Sequence, residues 1–142
     1  MEISEIIKKI CYEIESDEQA VALVQSIDSS DDLYELLDHY NWDDGFQIPE
    51  AIARHPKCDL AIAQKLFWLA ASDHFLEPGF EINEYNQDNY SFSKKLSENI
   101  IQGNYQIGHL SHDQCFNKIT IHKYKKSQFP EVFYEPVIGK KA

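Results

Sequence analysis

The sequence predicts a mainly α, single-domain bundle of about six to seven helices, closed by a short strand or an irregular arm at the C-terminus. Three observations predict it. Apolar residues recur at helical spacing in segment after segment. Ser, Asp and Asn clusters stand where those segments begin. The length, 142 residues with 43% apolar and 13% aromatic content, suits one domain that buries its own core without disulfides or a structural metal.

Ile3, Ile6, Ile7, Ile10, Cys11 and Ile14 make one apolar stripe on a first helix, residues 2–15. Ser16 to Gln19 matches a capping box, and Ala20, Leu23, Val24 and Ile27 continue the apolar side of the helix it opens. Ser29-Ser30-Asp31-Asp32 opens a third helix. Its oxygens accept from free N–H groups and its acids suit the positive helix end. Leu33, Leu36, Leu37 and Tyr40 are its buried stripe, and Asn41 to Gly45 turns the chain. Pro49 fits the first turn of a short helix through Arg54, with Ile48, Ile52 and Ala53 inward. His55-Pro56 ends it, because the residue before proline avoids helical geometry. Asp59 caps a helix from Leu60 to Ser72 whose apolar residues lie nearly all round, which places it at the centre of the core.

Glu77-Pro78-Gly79 breaks the chain, and polar residues 81–91 are expected to be a surface loop. Phe92, Leu96, Ile100 and Ile101 define a helix ending near Gly103. Ser111 to Gln114 reads as another capping box before Cys115, Phe116 and Ile119, although Ile119 to Tyr124 also alternates as a strand would. Phe129-Pro130 and Pro136 predict an irregular arm that packs its aromatics back on the body.

No stretch of 18 apolar residues exists, and the acidic start Met1-Glu2-Ile3-Ser4-Glu5 lacks the basic head of a signal peptide, so the chain reads as cytoplasmic with no membrane contact. Cys11, Cys58 and Cys115 are too widely spaced for a disulfide framework or a CxxC metal pattern. Each is expected to fill a small apolar hole.

The net charge of −11 is unevenly placed. Residues 1–50 carry fourteen acids against two lysines, a net −12, while residues 51–142 come to +1. From Lys118 onward six lysines face Glu131 and Glu135, a net +4. An acidic N-terminal half repels phosphates, which argues against nucleic acid. It favours a basic protein partner drawn in electrostatically, the alternative being a solvated acidic surface that only aids solubility.

Few residues suggest a reaction. A calcium loop beginning Asn41-x-Asp43-x-Gly45 lacks its later glutamate, because its twelfth position is Ile52. His109, His112 and Cys115 stand three apart and are reasonable zinc ligands, but no fourth is evident unless His122 is recruited. Cys58 with His55 or His74 is the one nucleophile–base pair to consider, and Asp59 beside the thiol opposes its ionisation. Glu35 with Asp38, and Glu13 with Asp17, lie on solvent faces unsuited to acid–base work. The five glycines do not cluster, so there is no phosphate loop. No catalytic residue, cofactor or metal is assigned.

The stretch Tyr40-Asn41-Trp42-Asp43-Asp44-Gly45-Phe46, then Ile48-Pro49, then Pro56 with Cys58-Asp59-Leu60, then Phe67-Trp68-Leu69-Ala70, resembles the bacterial domain of unknown function 4274 family over residues 31–77. Leu96 to Tyr105 is similar to the next segment of longer members. The chain departs from the pattern at Ala71-Ser72-Asp73-His74, where members tend to place Asp-Gly. Ile52 to Ala70 also resembles one helix pair of an α-helical repeat, without a period elsewhere.

The resemblance implies a small helical protein and brings no catalytic site. By analogy of protein type, small acidic bacterial proteins of this kind often accompany polymorphic or contact-dependent growth inhibition toxins as immunity proteins. The expectation is therefore a non-enzymatic immunity or antitoxin protein that binds a basic toxin domain. Its contact group is expected to be Glu13, Glu15, Asp17, Glu18, Asp31, Asp32, Glu35, Asp38, Asp43 and Asp44, with Tyr34 and Trp42 as aromatic anchors if they are exposed. The alternatives are a stand-alone helical interaction module and, more remotely, a small metal protein or enzyme.

Overall fold

The computed structural model describes residues 1–13 and 16–141. Its centre is the helix that the sequence places there. This helix, α5, runs Leu60–Leu69. Ala61 through Phe67 are buried without a break, Gln64 and Lys65 included. Seven consecutive residues span nearly two turns, so every side of the helix is covered. Asp59 caps it through Oδ1, which accepts from the Ile62 N–H at 3.0 Å.

Around α5 stand α3 (Ser30–Leu37), α4 (Gln47–Arg54), α6 (Gln87–Ile101), the one-turn α8 (Glu131–Tyr134) and a 3₁₀ turn over Ser72–Leu76. α1 (Ile3–Lys8) packs on α3, and α2 (Asp17–Gln25) packs on α4. α7 (Lys118–Lys126) completes the eight α-helices among the described residues. Among the described residues there is no sheet, and none of these helices is long and apolar enough to cross a membrane.

The caps that the sequence announces are in place at α2 and α3. Ser16 Oγ accepts from the Gln19 N–H at 3.5 Å, and Ser29 Oγ from the Asp32 N–H at 3.1 Å. α4 starts two residues before Pro49, which therefore sits in the first turn, where its missing N–H leaves no bond unmade. The first segment differs from expectation. α1 ends at Lys8 and passes into a π turn over Lys9–Glu13. Ile14 and Glu15 lie outside the described residues.

α6 is a larger correction. It begins at Gln87, inside the stretch expected to be a loop. Asn83 and Asn86 fold the chain into it: Asn83 Oδ1 accepts from the Tyr85 and Asn86 N–H groups at 2.8 and 3.0 Å, and Asn86 Oδ1 accepts from Asn83 N–H at 2.9 Å. The first turn is then anchored. Asn89 donates to the Ala70 carbonyl at 2.9 Å, and Tyr90 stacks on Phe80 with ring centroids 5.9 Å apart. Polar composition signalled a loop, but these polar groups bind the backbone that starts the helix.

The C-terminal third also departs in detail. Asn117, not Ser111, caps the helix there, accepting from the Thr120 N–H at 2.8 Å. Residues 119–124 are helical and not a strand. Ser111 Oγ instead accepts from Gly139 N–H at 2.8 Å, and His112 and Val137 exchange backbone bonds of 2.9 and 2.8 Å. Cys115 is exposed with φ 59°, so it fills no apolar hole, whereas Cys58 is buried as expected.

The aromatics of the arm do fold back. Phe133 stacks on Phe67 at 4.3 Å with planes 7° apart. Trp68 Nε1 donates to the Phe133 carbonyl at 2.6 Å, and Gln64 Nε2 donates to the Val132 and Glu135 carbonyls at 3.1 and 2.8 Å. The polar side chains of α5 thus receive the backbone of α8.

Gly139 closes the arm against the 106–110 strap. A Cβ there would overlap the His109 carbonyl oxygen and stand 2.8 Å from that of Leu110. Gly139→Ala is therefore expected to destabilise by about 1–3 kcal/mol. Hydrogen exchange should show faster exchange at the His112 and Val137 amides before any change within α5.

Candidate functional site

Tyr40, Trp42, Phe46 and Phe92 form an aromatic row from the end of α3 to α6, with successive ring centroids 5.6, 6.0 and 5.3 Å apart. The row holds down the Asn41–Gly45 turn. Asn41 Oδ1 accepts from the Asp43 N–H at 3.1 Å, and Trp42–Asp44 make a single 3₁₀ turn. Tyr40 Oη donates to the Gly45 carbonyl at 2.6 Å, and Gly45 takes φ 98°, a left-handed value that L side chains resist. With its aromatics turned inward, the turn leaves Asp43 and Asp44 exposed.

Beside this turn, between α4 and α6, runs a groove of about 470 Å³. Buried Phe92 and Leu96, with half-buried Phe46, make its floor. Exposed Asp17, Asp44 and Asp88 stand on its rim with Lys95. Glu50 and Arg54 also line it and neutralise each other across 2.8 Å. Tyr105 closes one wall, its hydroxyl donating to the Ala53 carbonyl at 3.0 Å. A second hollow shares Asp17, Asp44 and Gln47 and continues to Tyr40 and Cys11. Burial, then the charges of Asp44 and Asp17, push the Tyr40 phenol well above its ordinary value, so both carboxylates act on one hydroxyl.

An apolar floor under a carboxylate rim suits a long cationic side chain. The alkyl stem lies on the rings, and the charged head meets the acids.

Most of the expected contact residues fall into two groups. Asp17 and Asp44 line the groove, with Asp43 next to them in the turn. Asp31, Asp32, Glu35 and Asp38 belong to α3 and its end, where two are already engaged. Asp31 Oδ2 lies 2.8 Å from His109 Nε2, and Asp38 Oδ1 lies 2.6 Å from the ammonium of buried Lys65. Glu13 pairs with Lys8 at 3.5 Å. Among the described residues, Asp17, Glu18, Glu35, Asp43 and Asp44 are exposed with no cation paired to them. Asp32 is half-buried, and Glu15 lies outside the described residues.

Neither aromatic anchor stands free. Tyr34 Oη is 2.8 Å from His112 Nδ1, and the Lys65 ammonium sits 3.7 Å above the ring. Trp42 is half-buried in the aromatic row. Both rings fix local structure and are half-covered as a result.

The residues that could carry chemistry are dispersed. His109 meets Asp31, His112 meets Tyr34 and Gln114, and Cys115 points to no histidine within bonding distance among the described residues. His55 is buried, its Nε2 donating to the Ile27 carbonyl at 2.7 Å and its Nδ1 accepting from the Lys57 N–H at 2.9 Å. Both imidazole nitrogens are thus taken. Burial, then Asp59, pushes the Cys58 thiol up, away from thiolate.

Glu50, Asp88, Phe92 and Lys95 belong to the groove but were not among the expected site residues. The Phe92 and Leu96 spacing signals a buried helix face. Only the three-dimensional placement of α4 and α6 side by side on α5 turns that face into a groove floor.

The family model described as Domain of unknown function (DUF4274) matches residues 28–101. All the groove residues except Asp17 and Tyr105 fall within that span. No curated protein and no solved structure matches the chain.

Proposed function

The chain belongs to the DUF4274 family, and on that premise we propose that it is a non-enzymatic binding protein that captures a basic protein partner at the groove between α4 and α6. The observation that carries this reading is the exposed trio Asp17, Asp44 and Asp88 around an apolar floor, nearly all of it within the family segment. The partner inserts an arginine or lysine between those carboxylates. Further exposed acids of the N-terminal half, Glu18, Glu35 and Asp43 among them, supply the approach field.

The specific role we propose is that of an immunity protein in the cytoplasm, bound to a cognate toxin domain such as those of contact-dependent growth inhibition systems. The unequal charge of the chain and the half-covered state of its aromatics both favour capture by charge over capture by a hydrophobic patch.

The test is binding to the C-terminal domain encoded by the open reading frame directly upstream. Asp17→Asn with Asp44→Asn should weaken binding by about 10–100-fold, the loss expected for two desolvated charge contacts. Glu35→Asn, away from the groove, should act mainly on the association rate. Equal dissociation rates for the wild type and the groove double variant would reject the groove as the seat of the partner.

A further inference from the structure

We propose that Asp73, His74 and Glu77 form a binding site for a first-row divalent transition ion, with Zn²⁺ as its reference occupant. None of the three lines the groove, so the inference is independent of the partner-binding reading.

One nitrogen or oxygen from each residue can be chosen so that all three atoms lie within 4.8 Å of one another. Tetrahedral zinc with bonds of about 2.0–2.2 Å holds its ligand atoms about 3.4 Å apart. Small rotations of half-buried Asp73 and exposed His74 and Glu77 close the set. Ser72 is fully buried, its Oγ 2.7 Å from Ser93 Oγ on α6. Phe75 packs edge-on against Phe80 at 4.6 Å and near Tyr90 at 6.1 Å. The ligands therefore ride on a turn fixed to α6, which limits the ordering that binding requires.

The charges agree. Among the described residues no lysine or arginine pairs with Asp73 or Glu77, so a bound cation relieves the mutual repulsion of the two carboxylates. The imidazole selects for zinc-like ions over magnesium or calcium, and three protein ligands leave a fourth position for water.

The experiment titrates chelator-treated full-length protein with Zn²⁺ by calorimetry and with Co²⁺ by visible absorbance. One ion per chain is expected, with affinity falling as acid protonates the imidazole. His74→Ala and Glu77→Gln should each weaken binding at least about tenfold. Cys115→Ser and His122→Ala should leave it unchanged, which separates this site from the exposed thiol and a surface histidine. Zn²⁺ should raise the thermal midpoint of the wild type and not that of His74→Ala. Circular dichroism checks that each variant is folded. The proposal is overturned if His74→Ala binds as tightly as the wild type, if Cys115→Ser abolishes binding, or if the wild type shows no saturable uptake.

Discussion

Phe67→Ala is expected to lower the unfolding free energy by about 3–5 kcal/mol, the largest loss expected of any single substitution in this core. Phe67 is fully buried on α5, stacked on Phe133 and in edge contact with Trp68 at 4.9 Å. Its removal opens a cavity on the side of α5 that receives α8. The hydrogen bonds from Trp68 and Gln64 hold the α8 backbone close by, so the walls cannot collapse freely into the space. Phe67→Leu should recover more than half of the loss, because most of the volume returns. Chemical denaturation measures both. Equal stability of Phe67→Ala and the wild type would mean that α8 is not docked on α5.

Lys65→Ala should cost about 2–3 kcal/mol. Lys65 is 7% exposed, an unusual position for an ammonium. It is satisfied there by the Tyr34 carbonyl at 3.2 Å, the Asp38 carboxylate at 2.6 Å and the face of the Tyr34 ring. Truncation removes these partners and also the buried methylene stem. Lys65→Met keeps the stem, and Asp38, with its side chain 60% exposed, then returns to water. That variant should therefore lose less than about 1 kcal/mol. The gap between the two variants separates packing from charge. Asp38→Asn on each background completes a double-mutant cycle for the pair.

The sequence made most of this architecture legible for a definite reason. The signals at Ser16, Ser29 and Asp59 are local: a side-chain oxygen meets an N–H three residues on, and no distant group has to be known. The centrality of α5 was legible because a helix that is apolar all round has nowhere else to go. The family-like core, expected over residues 31–77, extends to a match over 28–101, which takes in α6.

The features that escaped depend on distant partners. Ser111 has the local form of a cap, but Gly139, far along the chain, takes its oxygen. The start of α6 looked like a loop because Asn83, Asn86 and Asn89 are polar; their bonds to one another and to Ala70 make them structural. The contact group drew together acids from a single charged half of the chain. The fold divides most of them between α3 and the groove, and adds Asp88 from the half of the chain whose net charge is +1. His109, His112 and Cys115 were adjacent only along the chain, whereas Asp73, His74 and Glu77 meet where the 3₁₀ turn of Ser72–Leu76 ends.

The central claim is that carboxylates around the α4–α6 groove capture a cationic protein. Its most direct test is the affinity of the wild type and of Asp17→Asn/Asp44→Asn for the adjacent gene product, measured from about 50 to about 500 mM salt. Wild-type affinity is expected to fall steeply across that range, and the double variant to bind weakly with a shallower salt dependence. Tight binding by both proteins that ignores ionic strength would contradict it.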